Sequence, residues 1–287
     1  MIRVLFLLLA TCVYVAPAMA AERVISIGGS VTEIVYMLEQ EERLVGRDTT
    51  SSFPPEAESL PDVGYKRALS PEGVLSLDPD LVLAEEGSGP HETIAVLENA
   101  RVRFVTVPTG YGAEAIRAKI EVVSDALGVP DRGRQLADRI ESELEAAVAA
   151  ASTDRPARVL FILSMQGGRI MAGGRDTSAD GIIRLAGAEN AMTGFTGYKP
   201  LTDEAVIATA PDVILMMERA MAGDDAGGNH GIDNDALFNH PGLAATPAAE
   251  RQAVVRIDGL LLLGFGPRTP EAVRALTSAL ADFDEAG

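Results

Sequence analysis

Apolar positions along this chain fall into short, β-rich runs, and segments with helical spacing lie between them. The runs are Arg23 to Ile27, Leu44-Val45, Val102 to Val107, Val159 to Leu163 and Val254 to Ile257. Thr32 to Leu38 follows the first run with helical spacing, and Ser178 to Ala186 does so in the second half. Strands alternating with helices predict an α/β fold built on parallel sheets.

One eighteen-residue pattern occurs twice. Leu69 to Glu86 and Leu201 to Glu218 align without a gap at an offset of 132, with seven of eighteen positions identical. A single internal repeat per half predicts two related lobes rather than a solenoid. Each copy reads the same way locally. Ser70 or Thr202 is placed to cap a helix whose first turn holds an acid, Glu72 or Glu204. The helix spans Glu72 to Leu77 or Glu204 to Thr209. Pro79-Asp80 or Pro211-Asp212 then ends it, and an apolar strand follows, Leu81 to Ala84 or Val213 to Met217.

Between the copies the pattern is purely helical. Ala113 to Leu127 is amphipathic and ends at Gly128-Val129-Pro130. From Asp131 to about Ser152 there is no glycine after Gly133, and Leu136, Ile140, Leu144 and Val148 form one stripe at four-residue spacing. Some twenty helical residues extend about 30 Å, enough to connect two lobes.

Composition narrows the function classes. Residues 1–20 read as a cleaved export signal: Arg3, a short apolar run from Val4 to Val15, then Ala18-Met19-Ala20. A lipid-anchored Cys12 is the competing reading, but Thr11 before it departs from a lipobox. Cys12 is the only cysteine, so the mature chain has no thiol chemistry. The formal charge of −18 becomes −19 once Arg3 leaves, which disfavours nucleic acid. An anionic ligand would therefore need a local basic patch. There is no G-x-S-x-G elbow, no clustered histidine and no phosphate loop, because Gly28-Gly29-Ser30 lacks the continuation such a loop requires. His91, His230 and His240 make no metal pattern, and the acidic stretch from Asp224 to Asp235 lacks calcium-loop spacing. An enzyme is not expected.

Two further segments carry a resemblance: Asp48-Thr49-Thr50-Ser51 with Leu60-Pro61-Asp62-Val63-Gly64-Tyr65-Lys66-Arg67 and Leu69-Ser70-x-Glu72-Gly73, and Gly264-Phe265-Gly266-Pro267-Arg268-Thr269 near the C-terminus. Together with the two-lobe layout, the chain resembles the class III periplasmic binding proteins, and within them the haemin-binding branch. The resemblance implies two Rossmann-like lobes, residues 21–129 and 154–287, joined by one long spanning helix at 130–153. It implies a monomeric periplasmic carrier that delivers haem to an inner-membrane ABC permease and its ATPase subunits, touching the membrane only through the permease. Tyr65 is then the axial ligand of the haem iron, Arg67 its support, and Glu72 and Glu204 the acids that dock on the permease. A ferric siderophore or cobalamin is the alternative cargo of the same importer class, although a chain without tryptophan offers little for stacking on a corrin.

The chemistry of the residues agrees with that implication. Ferric iron is a hard acid and phenolate a hard oxygen ligand, with precedent in haem proteins. Two cations beside Tyr65 favour the ionised phenol. The propionates of haem need specific partners in so acidic a chain, and the candidates are Lys66, Arg175, Lys199, Arg219 and Arg268. Arg219, just after the repeated strand, sits where strand ends meet a cleft. Phe53, Phe195, Tyr198 and Met165 are candidate apolar walls. Met165 stands where some relatives carry a histidine that ligates iron. Thioether is soft and suits a ferric phenolate site poorly, so ligation by Tyr65 alone is the expectation.

Overall fold

Each apolar run forms a strand, and the strands sort into two sheets. The computed structural model describes residues 22–218 and 233–284; residues 1–20, expected to form an export signal and including Cys12, together with Arg219, His230 and most of the acidic stretch after Glu218, lie outside the described residues. The first half contains β1 (Val24–Ile27), α1 (Gly29–Met37), β2 (Leu44–Arg47), α2 (Pro71–Leu75), β3 (Leu81–Glu85), α3 (His91–Asn99), β4 (Arg103–Val107) and α4 (Ala113–Leu127). Helix α5 (Pro130–Ala150) follows. The second half opens with β5 (Arg158–Gln166), β6 (Arg169–Gly173), α6 (Ser178–Leu185), β7 (Glu189–Asn190), β8 (Tyr198–Leu201) and α7 (Asp203–Thr209). It closes with β9 (Val213–Glu218), the short helices α8 (Asn234–Phe238), α9 (Pro241–Ala244) and α10 (Pro247–Glu250), then β10 (Val254–Asp258), α11 (Gly259–Leu263) and α12 (Thr269–Asp284).

The first sheet runs β2-β1-β3-β4 and is parallel throughout. The second runs β10-β9-β5-β6-β8, with β7 also on β5. Its β10, β9, β5 and β7 are parallel, but β6 pairs antiparallel with both β5 and β8. The expectation of parallel sheets therefore holds for the first and needs correction for the second. Gly167 and Gly168 turn β5 straight back into β6, both with positive φ (56° and 74°), and a tight hairpin can join only antiparallel strands.

The repeat is structural down to its caps. Ser70 Oγ accepts from Gly73 N–H at 2.9 Å, and Thr202 Oγ1 accepts from Ala205 N–H at 3.3 Å. A non-glycine residue in the left-handed region follows each short helix: Ala210 (φ 40°) caps α7, and Asp78 (φ 46°) lies three residues past the end of α2. Asp80 then accepts from the backbone N–H of Arg23 at 3.1 Å, and Asp212 from that of Arg158 at 2.9 Å. Both arginines donate back to carbonyls at their helix C-termini, Leu77 and Asp78 for Arg23, Thr209 for Arg158. The same four-part clasp thus starts the central strand of each sheet.

Alternation along the strands divides the core. Val24, Leu81 and Leu83 of the first sheet share one apolar cluster with Val159, Phe161, Val213 and Leu215 of the second, packed around α4, α5 and α12. Ile25, Ile27, Val82 and Ala84 face a separate cluster on the other side, as do Leu160, Ile162, Ile214 and Met216. Helix α5 buries Leu136, Ile140, Leu144 and Ala147, while Val148 stays 36% exposed. The expected stripe drifts here for a geometric reason. Four-residue steps gain about 40° each on a 3.6-residue helix, so Val148 has rotated about 120° from Leu136, whereas Ala147 returns to within about 20°.

Candidate functional site

The order β2-β1-β3-β4 reverses between β1 and β3, and such a switch point, beyond the C-terminal strand ends, is where α/β sheets hold ligands. Gly28 leaves β1 there with φ 108°, and its N–H donates to the buried Asp48 Oδ1 at 2.8 Å. Asp48 also accepts from Thr50 N–H at 3.0 Å, Thr50 Oγ1 at 2.6 Å and Ser51 Oγ at 2.6 Å. Thr32 Oγ1 donates to Ser51 Oγ at 2.7 Å and lies 2.7 Å from Ser26 Oγ. The Asp48-Thr-Thr-Ser51 run is thus a polar knot that fixes the loops above β1 and β2.

That knot holds the turn bearing Tyr65. Thr49 N–H donates to Gly64 O at 3.1 Å, and Thr49 Oγ1 to Asp62 Oδ1 at 3.2 Å. Asp62 also accepts from Gly64 N–H and from Arg47 Nη1, each at 2.8 Å. Gly64 (φ 99°) takes a backbone conformation that side chains disfavour, and Ala68 N–H closes the next turn on Tyr65 O at 2.8 Å. Gly89 N–H donates to Lys66 O, also at 2.8 Å. A backbone tied at Gly64, at the Tyr65 carbonyl and at the Lys66 carbonyl therefore presents Tyr65, which is 45% exposed. Its hydroxyl has no hydrogen bond among the described residues.

The next two residues, Lys66 and Arg67, line a cavity of about 200 Å³ together with Glu85, Thr109, Tyr111 and Lys119 from the first half and Ser178, Gly264 and Phe265 from the second; Tyr65 itself is not among its lining residues. Glu85 ends β3 at the switch point. Its carboxylate pairs with Lys66 through Oε2 and with Lys119 Nζ at 3.2 Å through Oε1. Ser30 Oγ donates to Oε1 as well, at 3.1 Å. Burial works against Glu85 being charged, but Lys119 and Lys66 prevail and hold it below the usual carboxylate range. Burial is also the largest influence on Lys119 and lowers it despite Glu85. Lys119 donates further to Ser30 Oγ at 2.9 Å and to Gly264 O at 3.3 Å, so it bridges the two halves at the C-terminus of α11. Among the described residues Arg67 has no ion pair.

Aromatic rings complete the wall. Tyr111 meets Phe265 edge-on, 5.2 Å between centroids, and Tyr198 hydroxyl lies 3.1 Å from Ser178 Oγ. Burial raises the Tyr111 pKa, with Tyr198 and Glu85 adding to it and Arg67 opposing.

The remaining expected residues scatter. Arg268 Nη2 donates to the buried Glu33 Oε1 at 2.7 Å, and its guanidinium stacks 3.5 Å above the Phe53 ring, so it is engaged with protein groups. Lys199 lies 5.4 Å over Phe195, and Arg175 is exposed on the loop after β6. Met165 packs against the second sheet's outer core and does not line the cavity. His91 opens α3, and His240 caps α9, accepting from Gly242 N–H at 3.2 Å. No group of three His, Cys, Asp or Glu side chains is placed to hold a metal ion among the described residues. Glu72 and Glu204 are exposed in the first turns of α2 and α7. Three residues that the sequence reading missed are central here: Glu85, Lys119 and Glu33. Lys119 carried a signal, since it lies on the apolar face of α4 beside Ile116, Ile120 and Val123.

Comparison with known proteins locates this architecture. Residues 24–260 match a family model described as "Periplasmic binding protein". A solved structure described as the periplasmic heme-binding protein BhuT in complex with two hemes superposes with a TM-score of 0.84, at 46% identity over 91% of this chain and 98% of that one. An ABC transporter substrate-binding lipoprotein of Bacillus subtilis is 27% identical over 90% of this chain and 80% of its own length. A vitamin B12-binding protein of Vibrio campbellii is 27% identical over 77% of this chain and 79% of its own.

Proposed function

The chain belongs to the periplasmic binding protein family, class III, and we propose that its cargo is haem. Members of this family bind and deliver solutes to ABC transporters and are not enzymes. Residues 1–20 serve as the export signal, residues 21–129 and 154–287 as the two lobes, and 130–153 as their connector. The observation that carries the reading is the turn at Gly64: it fixes an exposed phenol, Tyr65, next to Lys66 and Arg67, which line a cavity between the two sheets. A hard, anionic oxygen ligand flanked by cations suits ferric iron, and the 46% identical structure is of a protein named for binding haem.

The cargo binds by position rather than by reaction. Tyr65 ligates the iron from the first lobe. Arg67 supports Tyr65 and offers a cation to a propionate. Tyr111, Phe265 and Tyr198 give an aromatic wall for the flat macrocycle. The cavity, about 200 Å³, falls below the ~300 Å³ of ordinary small-molecule pockets, so it takes only part of the macrocycle. Glu72 and Glu204, paired by the repeat, dock on the permease. The Glu204 carboxyl is held below its usual pKa by its own backbone N–H and by Thr202, which keeps the docking charge in place as pH falls.

Cobalamin is the second reading, favoured by the relatives named for vitamin B12. Binding of haemin and of cyanocobalamin to the mature protein, measured side by side by calorimetry, separates the two. The haem reading expects saturable haemin binding and no heat from cyanocobalamin. The reverse result would overturn it.

A further inference from the structure

Of the two lysines on Glu85, only one is needed to neutralise it. Lys119 is buried with its side chain 2% exposed and is held by three acceptors, Glu85, Ser30 and Gly264. Lys66 reaches Glu85 from the cavity side, and its side chain keeps 23% exposure. Lys66 is therefore the exchangeable partner, the one a ligand anion can reach. Glu86, the other acid on the lining, takes Thr109 N–H at 3.3 Å and Thr109 Oγ1 at 3.0 Å, so it accepts from the opposite rim and leaves Lys66 untouched. Arg67 remains as the one lining cation with no ion pair among the described residues.

We propose that Glu85 is a specificity-determining residue: by holding Lys66 it leaves Arg67 as the cavity's available cation and limits how strongly the site takes a dicarboxylate cargo. This rests on the haem reading, because haem presents two propionates. One propionate finds Arg67 directly. The other must displace Glu85 from Lys66, exchanging one ion pair for another with little net gain. A carrier gains from that limit, because the cargo has to leave again at the permease.

The test compares haemin with haemin dimethyl ester, which keeps the iron and the ring but lacks the carboxylates. The quantity read is the ratio of the ester's Kd to the diacid's. Glu85→Gln keeps the shape and frees Lys66, so the preference for the diacid rises about fivefold, the scale of one partly exposed ion pair. Glu85→Gln with Lys66→Met returns it to near the wild-type ratio. Because Glu85→Gln leaves Lys119 buried without a counterion, Glu85→Gln with Lys119→Met is measured too. That variant removes a buried pair together, which proteins tolerate better than half a pair, and the same rise is expected. A purely structural Glu85 would change both affinities alike and leave the ratio flat. A flat ratio in Glu85→Gln and in Glu85→Gln with Lys119→Met, with the wild type still binding haemin, overturns the role of Glu85 alone. Failure of the wild type to bind haemin overturns the haem reading, and this inference falls with it.

Discussion

Arg268 and Glu33 join the two halves across 235 residues of sequence, and their pairing makes a pH-dependent prediction. The side chains are 13% and 3% exposed. Unit charges about 4 Å apart at the effective dielectric of a protein attract by about 4 kcal/mol. Replacing Arg268 with Met removes that attraction and the stacking on Phe53, and leaves a buried carboxylate without its ion-pair partner, for a cost of about 3–5 kcal/mol. Burial already pushes the Glu33 pKa up, against the pull of Arg268 and Lys119. The sign follows. A carboxyl with a raised folded pKa binds more protons folded than unfolded, so the native state weakens as pH rises from the ordinary carboxylate value through the folded one. Arg268→Met raises that folded value further and widens the window. Thermal unfolding should therefore show a deficit of roughly 10 °C at pH 8, shrinking markedly at pH 5. Glu33→Gln added to Arg268→Met should recover most of the loss. An equal deficit at both pH values would refute the reasoning, as would a double variant no better than the single one.

Other substitutions separate architecture from cargo. Leu144→Ala should cost about 2–5 kcal/mol in urea unfolding, while Val148→Ala should stay within about 0.5 kcal/mol, because only the first packs into the core shared by both sheets. Asp48→Ala strands the donors of Gly28, Thr50 and Ser51. It should cost roughly 3 kcal/mol and speed amide exchange at Gly64 and Tyr65. Glu72→Lys with Glu204→Lys should leave haemin affinity unchanged and abolish uptake in membranes reconstituted with the permease; unchanged uptake would remove these acids from docking.

Much of this was legible in the chain. Ala113 to Leu127 forms a helix with the expected ends, and the caps Ser70 and Thr202 bind as the repeat implied. These features are local, set by spacing and turn chemistry within a few residues. What escaped depends on distance. Arg268 looked like a candidate for a propionate because nothing near it in sequence is acidic except Glu271, and its partner lies on α1. Glu85 lies just past the apolar strand expected at Leu81 to Ala84, and its two lysines come from a loop and from α4. Strand β6 escaped because the four residues between its flanking glycine pairs show too little alternation to be told from a turn.

The central claim is that Tyr65 binds the iron of haem. Its most direct test is the visible spectrum of ferric haemin titrated into the mature protein, for wild type and for Tyr65→Phe, which keeps the ring and removes only the oxygen. The account predicts a high-spin ferric phenolate charge-transfer band in the wild type that is absent in the variant. The same band in Tyr65→Phe, or none in a wild type saturated with haemin, would contradict it.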